Sequence, residues 1–236
     1  MDDELQPGGT PATLPEHVAV RRAEMAERAA LVGLAGFGLI FAAVKQRTSD
    51  AFDLALLLRW QRVRNPVLSR LMAAVSWPGF PPQSRIIPPL LMALQLRLGL
   101  RLEAFLQLIA WGTGGLSSLL KSLMRRPRPI AGTDLRVVAA PLGGSSFPSG
   151  HVIVYVGTYG WLAYVCHVRI RHRWRRRATV VSLVGLIGMV GPSRIHQGHH
   201  WPTDVAASYL LGTSYLLVLA EAYRRVRGRA KVPTGT

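Results

Sequence analysis

The sequence predicts an all-α protein: a six-helix transmembrane bundle with one further helix lying along the membrane surface. Three observations lead there. Six stretches of 11 to 17 residues carry no Asp, Glu, Lys or Arg. The last two of them show no polar stripe of the kind a soluble core helix carries, yet are rich in the small residues that let membrane helices approach closely. The basic residues, in turn, gather in the short segments between stretches.

Taken in order, residues 1–20 hold three prolines and two glycines without apolar periodicity, and read as a disordered tail. They lack the basic-then-apolar order of a cleavable signal peptide. A helix rises about 1.5 Å per residue and a bilayer core is about 30 Å thick, so roughly 20 residues span it. With tilt and snorkelling flanks the six stretches predict spans over 27–45, 84–100, 103–121, 150–168, 178–194 and 203–221. The second is interrupted by Pro88 and Pro89, which membrane helices tolerate better than soluble ones. Between the first two spans, Asp50–Arg70 mixes Leu54, Leu57, Leu58 and Trp60 with Arg59, Arg62 and Arg64, the pattern of an interfacial helix. Trp77–Pro82 is a turn. The membrane domain covers residues 21–223, and 224–236 form a basic tail.

Composition removes several functions. With 49% hydrophobic and 17% charged residues the chain is not a disordered protein, and a single cysteine, Cys166, excludes a disulfide scaffold or a cysteine-built metal site. The formal charge of +17 suits nucleic acid, a phosphorylated substrate or a membrane with basic loops. The arginine-rich run 169–177 is short and squeezed between two apolar spans, which argues against nucleic acid as a partner. With six spans, 16 of the 29 basic residues fall on the side of the N- and C-termini, including six arginines within 169–177. That side is therefore cytoplasmic, its clusters facing anionic lipid headgroups, and the protein is a multi-pass protein of the cytoplasmic membrane.

Three polar clusters share the opposite, outer side by span parity alone: Lys121–Pro129, Ser146–His151 and Ser193–Asp204. Four of the seven histidines lie in them. Lys121, Arg128 and Arg194 offer fixed positive charge and N–H donors that match phosphate oxygens. Ser149 and Gly150 precede a helix, whose N-terminal N–H groups form an anion site. His200 and Asp204 are four residues apart, within one helical turn, so a carboxylate can hold one imidazole nitrogen and leave the other free to attack. His151, from a different helix start, can serve as the acid for the leaving group. Read singly, these residues are flanking anchors, an N-cap and a first-turn acid; as an ordered set on one side they point to phosphate chemistry.

On those residues the chain resembles the type 2 phosphatidic-acid phosphatase superfamily, related to the vanadium haloperoxidases. The family's pattern is K-x6-R-P, P-S-G-H and S-R-x5-H-x3-D, and Lys121–Pro129, Pro148–His151 and Ser193–Asp204 match every fixed position. The resemblance implies that His200 attacks phosphorus and forms a phosphohistidine, that Asp204 orients it, and that His151 protonates the leaving oxygen. It implies that Lys121, Arg128, Ser149, Gly150 and Arg194 hold the phosphate. His196 and His199 fall in the variable gap and receive no role. The expected function is an integral membrane lipid phosphatase acting on a phosphorylated lipid of the phosphatidic acid, phosphatidylglycerophosphate, polyprenyl diphosphate or lipid A type. A haloperoxidase-like enzyme and a non-catalytic lipid-phosphate binder or transporter are the alternatives; the apolar spans argue against the first, the complete histidine–aspartate set against the second. No metal and no cofactor are expected: from residue 104 to 220 the only acids are Asp134 and Asp204, too few for a hard-cation site. The sequence implies no particular oligomeric state.

Overall fold

The computed structural model describes residues 16–129 and 144–229, all of whose regular elements are helices. In chain order they are α1 (Glu16–Lys45), α2 (Asp50–Gln61), α3 (Pro66–Ser76), a 3-10 turn (Trp77–Gly79), α4 (Gln83–Arg97), α5 (Arg101–Trp111), α6 (Thr113–Met124), α7 (Gly150–Arg169), α8 (Arg173–His196) and α9 (Pro202–Arg229). Residues 1–15, most of the expected tail, lie outside the described residues, as do Asp134 and residues 230–236. The boundaries of the expected domain shift: α1 already includes residues 16–20, and α9 runs through residues 224–229.

The apolar stretches become helices in the expected order, with two differences. The expected third span is two helices, because the backbone turns at Gly112, whose N–H is shared between the carbonyls of Leu108 and Ile109, both at 3.0 Å. The break falls where α7 comes closest. A Cβ on Gly157 would meet the Ala110 carbonyl and lie 2.7 Å from Thr113 Oγ1, so only glycine fits. The single interfacial helix is likewise two, α2 and α3. Asn65 starts the second by accepting hydrogen bonds from the N–H groups of Val67 (2.8 Å) and Leu68 (3.2 Å), with Pro66 at the first helical position. α4 continues through Pro88 and Pro89.

α7 is the central helix; Val152, Ile153, Tyr155 and Trp161 are buried among α5, α8 and α9. The outer helices turn large apolar side chains outward, with Leu39 of α1, Val181 of α8 and Val218 of α9 at least 60% exposed. So extensive an apolar exterior is stable against lipid rather than water. Three helices, His17–Lys45, Arg173–His196 and Pro202–Gly228, are long and apolar enough to cross a membrane. α7 faces protein along most of its length, with Tyr155, Thr158 and Tyr159 inward.

One end of the bundle is tied by Glu103 at the start of α5. Its buried Oε1 accepts from Arg169 (2.5 Å), Tyr223 (2.5 Å) and Arg227 (2.7 Å), joining α5, α7 and α9, while its carbonyl accepts from the Trp161 indole at 3.0 Å. Removing one partner of a buried ion pair leaves the other charge uncompensated, so Glu103→Ala is expected to cost about 3–5 kcal/mol. Thermal unfolding in detergent checks this: a midpoint unchanged from the wild type would mean the cluster contributes no net stability.

Candidate active site

The other end of the bundle gathers the C-terminal ends of α6 and α8 and the N-terminal ends of α7 and α9. All eight residues singled out in the sequence lie there. Lys121 Nζ donates to the Ser145 carbonyl at 2.8 Å, and Arg128 Nη2 reaches the same oxygen at 3.2 Å, so the two cations of the first cluster converge on the segment leading into α7. Arg128 Nη1 donates to the His199 carbonyl at 2.8 Å and faces His200 Nε2 at 3.3 Å. Arg194 is fully buried; it donates to Ser76 Oγ (3.2 Å) and Gln197 Oε1 (3.1 Å), pairs with His199 Nδ1, and lies over the Phe80 ring at 4.9 Å. His151 packs edge-on against Phe80, 4.6 Å between ring centres, within electrostatic reach of Arg194, His200, His199 and Arg128.

His200 differs in detail from the expectation. Its Nδ1 donates to the Ser146 carbonyl at 2.8 Å, and Asp204 Oδ2 is the more distant neighbour at 3.7 Å. The carbonyl thus fixes the tautomer, with the proton on Nδ1 and the lone pair on Nε2. Burial drives the His200 pKa well below its ordinary value, and the positive charges of Arg194, Lys121 and Arg128 drive it further, against a smaller opposing effect of the Ser146 carbonyl. The ring is neutral at pH 7, with its free nitrogen aimed among cations.

Asp204 is held from two directions. Its Oδ2 accepts the Trp201 N–H at 2.9 Å, the N3-to-N-cap contact of a helix start, and Oδ1 accepts from Arg126 at 2.7 Å. Arg126 also donates to Asp53 (2.6 Å), Asp50 (3.3 Å) and Thr203 Oγ1 (2.9 Å), and Asp53 accepts in addition from the Thr203 N–H and hydroxyl, at 2.9 and 2.6 Å. The acids around the site are therefore each engaged by one arginine.

Ser149 occupies the N-cap position of α7, but its hydroxyl makes no capping hydrogen bond, and its N–H is committed to Ser208 Oγ at 2.7 Å. The Ser149 N–H is thus already engaged, whereas its hydroxyl lies buried next to Gly150 at the head of α7. Buried polar atoms are normally paired. Here Ser149 Oγ, His151 Nε2, His199 Nε2, Arg128 Nε and Arg194 Nε have no partner among the described residues. Such a concentration in one place suits an anion rich in acceptor oxygens.

Several site residues were not foreseen. Ser76 Oγ lies 2.5 Å from Ser193 Oγ, which donates to the Met72 carbonyl at 2.6 Å, and Gln197 donates to the same carbonyl at 3.1 Å, so α3 braces Arg194. His196 Nε2 meets Ser69 Oγ at 3.0 Å, and His199 lies inside the site, its pKa lowered to about 3 by burial and by Arg194 and Arg128. Both histidines are buried at this end of the bundle. Asp53 and Arg126 carry no motif: Asp53 sits in the first turn of α2, and Arg126 is one of three arginines at 125–128.

The PAP2 superfamily model matches residues 103–227, more than half of the chain, including every residue of the three clusters. The chain belongs to the PAP2 superfamily. As a PAP2 protein it is a phosphatase embedded in a membrane, and its sequence is 27% identical over 184 residues to phosphatidylglycerophosphatase B of Bacillus subtilis (strain 168), covering 75% of this chain and 85% of that one. Its fold is similar to the crystal structure of a transmembrane PAP2-type phosphatidylglycerolphosphate phosphatase from Bacillus subtilis, with TM-score 0.74 and 21% identity over 84% of this chain and 96% of that one. It is also similar to Aquifex aeolicus LpxE, with TM-score 0.57 and 22% identity over 71% and 93%.

Asp53→Asn keeps the shape but removes the charge that, with Asp204, holds Arg126. A hydrogen bond to a charged group is worth about 1.5–3 kcal/mol, so this loss of stability is expected. Arg126→Ala, which strands two buried carboxylates, should cost more. Chemical unfolding of both variants checks the order; equal stability of Arg126→Ala and wild type would remove Arg126 as the organising charge.

Proposed function

We propose that this membrane lipid phosphatase hydrolyses a lipid phosphomonoester of the phosphatidylglycerophosphate type through a phosphohistidine on His200, without a metal. The observation that carries the reading is the neutral, fully buried His200 with Nδ1 held by the Ser146 carbonyl and Nε2 beside Arg128. The relative matched along most of its sequence favours phosphatidylglycerophosphate over the other lipid phosphates.

The reaction follows from the groups present. The phosphate enters among Lys121, Arg128, Arg194, the Ser149 hydroxyl and the Gly150 N–H, whose charges and donors stabilise the equatorial oxygens as charge builds on them. Because Arg194 donates to His199 Nδ1, His199 carries its proton on Nε2, a further donor toward the same oxygens. His200 Nε2 attacks phosphorus, and the P–O bond to the lipid breaks as His151, protonated once the phosphate dianion sits beside it, gives that proton to the departing oxygen. The imidazole becomes positively charged, and Asp204, fixed by Arg126 and Trp201, faces that charge. Water then attacks the phosphohistidine, with His151 now the base, and releases phosphate and free His200. In this reading Asp204 acts through charge at 3.7 Å while the Ser146 carbonyl sets the tautomer.

The bundle crosses the cytoplasmic membrane six times, the α5–α6 pair making the third crossing. The site lies outward, and the arginines of 169–177 and 224–229 lie at the opposite, cytoplasmic end with both termini.

Phosphate release from purified protein, with a chelator present throughout, tests the chemistry over a panel of lipid phosphates and soluble esters. His200→Ala should be inactive on every substrate. His151→Ala should lose about 10²–10⁴-fold on alkyl phosphomonoesters and far less on an aryl phosphate, whose oxygen leaves without a proton. His199→Ala should keep the reaction but bind vanadate roughly tenfold or more weakly. An active His200→Ala, a uniform loss for His151→Ala, or activity abolished by the chelator and restored by magnesium each contradicts the scheme.

The nucleophile must be unprotonated, and its lowered pKa keeps it so under acid conditions; activity carried by His200 is lost only as pH falls through that lowered value. Nitrogen-15 spectra of labelled protein in detergent should therefore show His200 neutral, with the proton on Nδ1, at pH 6. A ring titrating at the ordinary histidine value would refute the buried, cation-flanked nucleophile.

A further inference from the structure

Beside the site, between the C-terminal ends of α1 and α6 and the start of α2, lies a cavity of about 370 Å³ that the phosphatase chemistry does not use. Its lining contains no histidine. Buried Val44 and Met124 give it an apolar floor, and Leu54, Lys45, Arg47 and Arg125 line it as exposed residues, three of them basic. Arg126 also reaches it but is already engaged by three carboxylates. Among the described residues no carboxylate pairs with Lys45, Arg47 or Arg125, and the only acid in the lining is Asp50, itself bound to Arg126.

Two backbone observations coincide there. Arg47 (φ 59°) and Arg125 (φ 50°) are the only non-glycine residues with positive φ among the described residues. Both follow the end of a helix, where the left-handed conformation is usually taken by glycine because a side chain is strained in it. This chain places arginine at both positions, and both arginines line the same cavity. Strain kept where glycine would relieve it points to use of the side chains.

We infer that this cavity binds the phosphodiester headgroup of an anionic phospholipid and holds it without hydrolysis. The apolar run of α1 ends at Val44, so the rim sits where a spanning helix leaves the hydrocarbon, and an apolar floor beneath cations suits a phosphate joined to glycerol and acyl chains. The free phosphate anion shares the charge but not the need for that floor. Trp201 forms the wall toward the catalytic loop: its indole donates to the Pro127 carbonyl at 2.9 Å, its N–H binds Asp204, and Arg126 lies over its ring at 5.5 Å. A lipid seated here touches the residues that fix Asp204. The inference stands on this cavity alone and does not require the phosphatase reading.

Native mass spectrometry of the full chain in detergent tests it, with phosphatidylglycerol and phosphatidylcholine as probes. Wild type should retain phosphatidylglycerol in preference to phosphatidylcholine. Arg47→Gly/Arg125→Gly removes two charges and relieves the backbone, so it should fold at least as well yet bind phosphatidylglycerol roughly ten- to thirtyfold more weakly. Arg47→Asn/Arg125→Asn, which also tolerates the left-handed backbone, repeats the test should the glycine pair unfold. Arg62→Gln/Arg64→Gln, on the same side but outside the cavity, should bind as wild type. Undiminished binding by both cavity variants, or an equal loss in the Arg62/Arg64 control, overturns the assignment. Displacement of the lipid by millimolar inorganic phosphate also overturns it, by making the ligand the free anion.

Discussion

Arg126 is the charge on which the site end of this molecule depends. It reaches Asp53 and Asp50 of α2 and Asp204 and Thr203 at the start of α9, and it is itself only slightly exposed. Burying carboxylates is costly unless each has a partner. One guanidinium meets the requirement for two fully buried acids because its planar fork presents several N–H groups at fixed angles, which a lysine cannot do. The position of Asp204, and through it the electrostatic setting of His200, is thus decided partly by a helix that lies outside the family's signature altogether.

That arrangement explains why the second pair of helices matters. α2 supplies Asp53, and α3 supplies Ser69, Ser76 and the Met72 carbonyl, which brace His196, Ser193, Arg194 and Gln197. The residues of the family pattern come from the bundle, but the polar groups fixing their rotamers come largely from α2 and α3. A bundle of apolar helices has few polar atoms to spare for this, so the positioning shell is built where the chain leaves the hydrocarbon.

Much of the fold and the site could be read in the residues. Charge-free stretches show where the helices are, and the residues of the family pattern, Lys121, His151 and His200 among them, come together at one end of the bundle. What could not be read depended on pairs distant in sequence. Asp53 and Thr203 are 150 residues apart, and neither pattern nor periodicity links them. The break at Gly112 was hidden because Thr-Gly-Gly inside an apolar run also suits a tightly packed membrane helix; the deciding fact is the approach of α7 at Gly157. His199 was passed over because the motif assigns only its neighbour, although burial beside Arg194 gives it a defined tautomer. Ser146 was named only as part of a cluster, since a backbone carbonyl leaves no trace in side-chain chemistry.

Phe80, in the turn between α3 and α4, lies against Arg194 and His151 and faces His199 at 6.2 Å between ring centres. A benzene ring among so many donors offers them almost no competing acceptor. It leaves their hydrogen-bonding capacity unspent and narrows the route by which solvent reaches them. A phosphorylated intermediate at this end of the bundle would therefore be shielded on one flank by hydrocarbon.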